Sequence, residues 1–502
     1  MTLEEVLRKK AKEQPHKMAF VLEERRVSYL ELEENSNKIA NQLIKLGVEK
    51  GDRVVFLLPS SPEVIINYFG VTKAGGIAAP LDTRLKLEDL DSLLKECQPK
   101  VLIAEEPFLE KIAPNLPKFS SIKYVIEVSP MVTPPFLSYW DILSTGSAQS
   151  PELRLNQEDI VLLRYTSGTT GRAKAAMLSQ QNMFSTRSLW VEPTKLTSED
   201  TCITLGAITP SWLIVFVAPN LIAGSTVVLV PSLAVSQLLQ TITRETGSVV
   251  FVFPFVYQET VNMPEEELKK YDLSSVRLYL GGGAPLSQAL ANQFKQRFGL
   301  SIIDGYGVGE SVAWLTIQPL DGTGKPGSVG KSPAASELRI VDELGNPLPP
   351  NQVGEITVRN TGVMKGYYNR PQATAEVLRE DWFYTGDLGK LDEDGYLFIL
   401  GRKKEMLVVG GQNVFPVDIE EAILTHPKVA EVAVIGIPNK VTGEAIRAVI
   451  VPKKGEVLTP QEIENFCRGC LVEHEVPKEI IFRDSLLRTP KGTIRREELQ
   501  RL

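Results

Sequence analysis

The residues best suited to chemistry in this chain form one short run, Tyr165-Thr166-Ser167-Gly168-Thr169-Thr170-Gly171-Arg172-Ala173-Lys174. Small side chains let backbone N–H groups approach phosphate oxygens, the hydroxyls of Thr166, Ser167, Thr169 and Thr170 can donate to them, and Lys174 adds a cation. The run follows the apolar residues Ile160 to Leu163 and precedes a helix expected from near Ser179, so it reads as a phosphate-gripping loop at a strand end. Its spacing is not that of a Walker loop. The other near miss, Gly330-Lys331-Ser332, has Lys325 where the first glycine should stand, and Pro333 follows it, which disfavours a P-loop kinase or ATPase.

Further short motifs follow in chain order. They are Gly281-Gly282-Gly283-Ala284-Pro285, Gly305-Tyr306-Gly307-Val308-Gly309-Glu310, Gly327-Ser328-Val329-Gly330, Tyr384-Thr385-Gly386-Asp387, Gly401-Arg402-Lys403-Lys404-Glu405 and Gly410-Gly411-Gln412-Asn413-Val414-Phe415-Pro416. Any one alone is weak. Together, and in this order, they resemble the adenylate-forming superfamily of acyl-CoA synthetases, luciferases and peptide-synthetase adenylation domains, with acyl-CoA synthetases the nearest branch, over nearly the whole chain.

The resemblance implies a reaction in two halves. A carboxylate attacks the α-phosphate of ATP to give acyl-AMP and pyrophosphate, and a thiol, usually that of CoA, then attacks the acyl carbon and releases AMP. It puts Thr166, Ser167, Gly168, Thr169, Thr170, Gly171 and Lys174 on the phosphates and Glu310 on Mg²⁺, where a metal relieves the repulsion between carboxylate and triphosphate. Asp387 would accept from the ribose hydroxyls beside Arg402. Gly282, Gly283, Ala284, Pro285, Asp304, Gly305, Tyr306 and Gly307 would surround the nucleoside. Lys404 falls at the family's interdomain hinge, and Gly410 and Gly411 would line the channel for the thiol arm of CoA.

The chain departs from that pattern near its end. Pro490-Lys491-Gly492-Thr493-Ile494 has Thr493 where the family carries a lysine that bridges substrate carboxylate and α-phosphate. Residues two apart on an extended segment share a face, so Lys491 is the candidate to substitute. Gly309 replaces a threonine beside Glu310, Gln180 stands where histidine is common, Thr209 or Pro210 occupies a position often aromatic or histidine, and Ala173 replaces a proline. Thr201 to Thr243 contains no acidic residue to pair an α-ammonium, which argues against an amino acid substrate. Trp212, Phe253, Phe255 and Val308 suggest an apolar acyl pocket, for a fatty or aromatic acid. The expected function is therefore an ATP-dependent carboxylate–CoA ligase. The alternatives are a ligase that loads a carrier protein, and a catalytically impaired nucleotide- or acyl-binding relative.

The elements that must position these residues show as a strand-helix rhythm. A helix is expected over Leu30 to Leu46, a strand over Arg53 to Leu58, a helix over Pro62 to Ala74 behind an N-cap at Ser61, and a strand over Ile77 to Pro80. The rhythm returns between about Ile160 and Asp304, with apolar runs at Val249 to Phe253 and Val276 to Leu280. It predicts α/β layering with much parallel sheet and ligands at the strand ends. Beyond Ser336 short strands and turns suggest a β-rich lobe, and a new pattern begins near Lys404: a helix Asp418 to Leu424, strands Val429 to Ile437 and Ala445 to Val451, and a helix Pro460 to Val472. The expected architecture is a large N-terminal domain, 1–403, of layered α/β subdomains plus that lobe, and a small mobile α+β C-terminal domain, 404–502.

Composition agrees with this class. The chain has 502 residues, 43% hydrophobic and 23% charged, which suits a soluble globular protein, and its net charge of −7 argues against nucleic acid as a partner. The three histidines, His16, His426 and His474, are scattered, so His-clustered metal sites and Ser-His-Asp hydrolysis have little support. Cys467-x-x-Cys470 with His474 lacks a fourth zinc ligand at suitable spacing. Four cysteines make no disulfide framework, the N-terminus lacks the apolar core of a signal peptide, and Pro210, Pro219, Gly224 and Pro231 break the longest uncharged stretch. A cytoplasmic protein without a membrane segment is expected. A homodimer is left open.

Overall fold

A computed structural model of the chain describes residues 1–152, 155–166, 173–439, 441–487 and 494–500. Ser167, Gly168, Thr169, Thr170 and Gly171 of the phosphate loop lie outside the described residues, as do Lys491, Thr493 and the side chain of Thr166.

Two sheets, each of seven strands among the described residues, dominate the first two-thirds of the chain. One runs in the order Ile302–Ile303, Leu278–Leu280, Val249–Phe251, Thr201–Leu205, Thr226–Val230, Met18–Leu22 and Arg25–Ser28. The other runs Leu137–Ser138, Tyr124–Val128, Val101–Glu105, Arg53–Leu57, Ile77–Pro80, Ile160–Thr166 and Lys174–Ser179. In each sheet five neighbouring pairs are parallel, and the last strand pairs antiparallel. Parallel strands covered on both faces must be apolar along their length, which is why they appear in the sequence as unbroken runs rather than as alternation.

The helices Leu3–Glu13, Tyr29–Lys45 and Pro62–Lys73 contribute to the large core that both sheets share, which contains Phe20 and Leu229 from one sheet and Phe56 and Ile103 from the other. Val235–Glu245, Pro254–Asn262 and Gln288–Phe298 cover the outer face of the first sheet, and Leu87–Cys97 the outer face of the second. The result is a five-layer stack that alternates helices with sheets.

Local chemistry accounts for most boundaries. Tyr29–Lys45 starts at a capping box, in which Ser28 accepts from the Glu31 N–H and the Glu31 carboxylate accepts from the Ser28 N–H. Ser61 holds the N-cap position of Pro62–Lys73, but its side chain makes no cap bond, and proline at the first turn starts that helix instead. The run expected as a strand to Phe253 stops at Phe251, because Phe253 is already the N-cap residue of Pro254–Asn262. Thr201 to Thr243 folds as strand, broken helix, strand and helix. No helix among the described residues is long and apolar enough to cross a membrane.

The β-rich lobe is an antiparallel sheet of Ser336–Val341, Gly354–Asn360, Trp382–Leu391, Leu378–Arg379 and Leu397–Arg402. After it, Gln412–Val414, Leu407–Val409, Gly443–Pro452, Val429–Asn439 and Glu479–Phe482 form a separate sheet. Its core, with Ile419, Ile423 and Ile463 from the helices Pro416–Leu424 and Pro460–Cys470, is distinct from the larger ones.

Candidate active site

The ends of the phosphate loop are held by sheet geometry. Thr166 and Lys174 face each other as the last pair of an antiparallel ladder, which closes the loop between them. The strand Lys174–Ser179 receives the segment 365–368 on its other edge, where the Tyr368 N–H donates to the Ala175 carbonyl at 2.8 Å and the Met177 N–H to that of Gly366 at 2.9 Å. That pairing puts Tyr367 in the site. Its ring centroid lies 5.1 Å from the Lys174 ammonium, and its phenol donates to Glu310 Oε1 at 2.8 Å. Burial, and then the neighbouring Glu310 carboxylate, push the phenol pKa upward, so Tyr367 remains a protonated donor.

Behind Glu310 sits Arg164, one strand residue before Tyr165. Its guanidinium is buried and donates from Nη1 to the Ser311 carbonyl at 3.1 Å. Burial lowers its pKa to about 10 while Glu310 opposes the shift, so it stays a cation at neutral pH.

A second group gathers around Asp387. The Tyr306 hydroxyl donates to Asp387 Oδ2, and Arg402 Nε lies 2.7 Å from Oδ1. Burial raises the Asp387 pKa, Arg402 and the Tyr306 hydroxyl oppose this, and Glu405 and Glu310 add to it, so the Glu310 cluster lies within electrostatic reach of Asp387. Each carboxylate oxygen has two acceptor positions, so Asp387 retains capacity for two more donors.

Asp304 closes the far wall. It is buried, its Oδ1 has no partner among the described residues, and a Cβ placed on Gly281 would lie 3.4 Å from that oxygen. Burial pushes its pKa from an ordinary 3.8 to about 7, although the Gly305 N–H holds it back. Gly282, Gly283, Ala284 and Pro285 follow directly on the strand Leu278–Leu280, and Gly305 and Tyr306 form half of a short hairpin with Thr316–Ile317. Gly307 and Val308 come next, the first exposed and the second buried.

Other expected residues lie further out. Lys404 is exposed in the turn Lys403–Glu405. Gly410 and Gly411 form the exposed two-residue turn between Leu407–Val409 and Gln412–Val414, with φ of +59° and +82°, the left-handed pair that such a hairpin turn requires. Gln180 is fully buried away from the phosphates, and its Nε2 donates to both oxygens of Glu4 at 2.8 and 2.7 Å, which ties the first helix down. Thr209 caps the helix Pro210–Trp212.

The four aromatic and apolar residues expected to line an acyl pocket do not share one wall. Trp212 and Val308 belong to the core between the sheets, whereas Phe253 and Phe255 stack on each other at 6.0 Å on the outer face of the first sheet. The strand ends at Phe251, and the turn into the next helix sends the following rings to the opposite side. The aromatic residues at the inner side of the site are Trp190, Phe251 and Trp314, which no sequence motif marked. Cys467 is buried and Cys470 exposed on one helix, and among the described residues no group of three His, Cys, Asp or Glu could hold a metal. A lone carboxylate oriented by a phenol, as at Glu310, suits Mg²⁺, which takes most of its ligands from phosphate and water.

Comparison with known proteins agrees along the whole chain. A family model described as AMP-binding enzyme matches residues 7–368, and one for the AMP-binding enzyme C-terminal domain matches residues 418–493. The chain is 33% identical over 495 residues to a feruloyl-CoA synthase of an Amycolatopsis species, covering 98% of this chain and 97% of that one. It is 30% identical over 527 residues to a long-chain-fatty-acid–CoA ligase of Bacillus subtilis, covering 99% and 94%. The crystal structure of ATP-bound MatB from Rhodopseudomonas palustris aligns with a TM-score of 0.91 at 31% identity, covering 100% of this chain and 99% of that one.

Proposed function

Since the chain belongs to the AMP-binding enzyme family, we propose that it is an AMP-forming ligase that joins an apolar carboxylic acid to CoA through an acyl-adenylate. The observation that carries this reading is a pair of clusters drawn from segments far apart in the chain, Asp387 with Tyr306 and Arg402, and Glu310 with Tyr367 and Lys174, within electrostatic reach of each other. An ATP molecule has three features to recognise, and each has a counterpart. The unpartnered Asp304 Oδ1 would accept from the adenine amino group, Asp387 would accept from the ribose hydroxyls, and the loop ending at Lys174 would grip the β- and γ-phosphates. Glu310 would hold Mg²⁺, which when bound neutralises charge on the departing pyrophosphate.

With ATP so held, the acid's carboxylate oxygen attacks the α-phosphorus as the bond to pyrophosphate breaks. The protein's part is placement and fixed charge, since neither step needs covalent help from a side chain. Lys491 would supply the cation that Thr493 cannot. In the second half the CoA thiol sulfur attacks the acyl carbon and AMP leaves. We assign the boundary between residues 1–403 and 404–502 to a hinge at Lys404, which would bring Gly410 and Gly411 beside the thiol arm. The proposal includes a cytoplasmic setting, where the four cysteines, all free, stay reduced, and it allows a homodimer.

The test is release of pyrophosphate and AMP by the purified chain with ATP, Mg²⁺, CoA and a panel of short, fatty and aryl acids, with acyl-CoA identified as product. No release with any acid overturns the reading. Lys491→Ala should slow adenylation by about 10²–10³-fold and Thr493→Lys should restore it. Unchanged activity in Lys491→Ala would remove that residue from the mechanism.

A further inference from the structure

Two stacked indoles pack against the glycines of the expected nucleoside wall. Trp190, from the helical turn Arg187–Val191, and Trp314, from the arm that leads into Thr316–Ile317, stack with centroids 4.7 Å apart and planes 8° apart. Phe251, at the carboxyl end of its strand, packs 5.8 Å from both, and Phe216 closes the layer 5.2 Å from Phe251. Trp190 and Trp314 are only 3% and 5% exposed.

This layer touches the nucleoside wall directly. A Cβ on Gly282 would lie 3.2 Å from the Trp314 indole and 3.4 Å from Phe251, and one on Gly305 only 2.4 Å from the indole. At Gly305 no side chain fits unless the Trp314 ring shifts, and at Gly282 a Cβ would press tightly on the same ring and on Phe251. If Gly282 and Gly305 flank the nucleoside, as the family resemblance implies, an acyl group directed toward this layer meets indole carbon first. The pair cannot part cheaply. The two rings are anchored in different elements, and separating them would uncover apolar surface and give up their stacking contact.

We propose that the Trp190–Trp314 pair, backed by Phe251, is the floor of the acyl site and restricts the enzyme to compact acids. The inference rests on the ligase reading and narrows its substrate from apolar acids in general to those with short acyl groups. It makes Trp314 the residue that sets acid length, since it faces the nucleoside wall while Trp190 supports it from behind.

The test is acid-dependent ATP–pyrophosphate exchange by the full chain with acetate, butyrate, hexanoate and dodecanoate. For the wild type, kcat/KM should fall by at least about 100-fold between butyrate and dodecanoate, and Trp314→Ala should recover at least about tenfold of that ratio. Trp314→Phe, which trims the floor without opening a large void, should shift the optimum to hexanoate and serves if the alanine variant does not fold. Dodecanoate used by the wild type within about tenfold of butyrate overturns the floor alone, as does an unchanged profile in a folded variant. Exchange with none of these acids and with none of the aryl acids of the panel above overturns the ligase reading and the floor with it.

Discussion

Asp304 shows how much one buried carboxyl can report. Its pKa is raised to about 7 by burial, so the folded state binds its proton more tightly than the unfolded state, where the ordinary value is 3.8. Its contribution to stability is therefore present at low pH and lost as pH rises through about 7. In the nucleotide-free protein, Asp304→Asn should melt higher than the wild type near pH 8 and no higher near pH 4, and parallel melting curves across that range would contradict the assignment. AMP binding should tighten as pH rises to about 7, because the ionised carboxylate is the stronger acceptor for an adenine amino group. At the phosphate end, Tyr367 orients Glu310. Tyr367→Phe removes that donor and should raise the Mg²⁺ concentration for half-maximal exchange by about tenfold while the nucleoside contacts are kept. An unchanged Mg²⁺ titration would show that Glu310 needs no such partner. Glu310, Asp387 and Lys174 stood out in the sequence because each sits in a short glycine-rich motif. Tyr367 and Arg164 did not, because their partners are 57 and 147 residues away along the chain.

At the scale of elements, the strand-helix rhythm was readable because buried parallel strands are short apolar runs and their helices carry caps. Ser28 with Glu31, and Pro62, mark starts that follow from local hydrogen bonding and proline geometry. What periodicity missed was where an apolar run stops being strand. Phe251 and Phe253 look alike in sequence, yet the strand ends between them, and the turn into the next helix sends one ring to the inner core and the other outward. Gln180 makes a related point. A position near the phosphate loop in sequence serves to anchor the first helix, because Gln180 starts the helix Gln180–Phe184 with its side chain turned to Glu4. Gln180→Leu would leave the buried Glu4 carboxylate without its donor and should cost about 3 kcal/mol in urea unfolding. A loss below about 0.5 kcal/mol would mean that the carboxylate finds water or another donor.

On the proposed reading the whole molecule divides its site between two bodies. The residues proposed for the nucleoside, Mg²⁺ and the β- and γ-phosphates lie before Lys403, whereas the Gly410–Gly411 turn, proposed for the thiol arm, belongs to the C-terminal sheet, where the Gly410 N–H donates to the Thr442 carbonyl at 2.9 Å. No atom lies within 4 Å of a Cβ built on Gly411, so Gly411→Ala strains only the left-handed backbone in this arrangement. Acyl transfer to CoA should therefore fall by tenfold or more while pyrophosphate exchange is kept, a difference read by assaying each half separately. Equal loss in both would place the turn outside the thiol channel. Arg496 ties the last described helix, Arg496–Leu499, to the C-terminal body, 2.5 Å from Glu420 and 3.6 Å from Glu405.

From the sequence alone came the chemistry that lives within a few bonds: a glycine- and hydroxyl-rich loop, carboxylates in fixed motifs, a missing lysine at Thr493, and the layered α/β class. These follow from residue type and spacing, which act over one turn or one strand. The tertiary structure decided which distant groups meet: Tyr306 on Asp387, Tyr367 between Lys174 and Glu310, Arg164 behind Ser311, and the stacked indoles of Trp190 and Trp314, which no motif marked. Such meetings depend on how two sheets and the helices between them close, and no local periodicity encodes that.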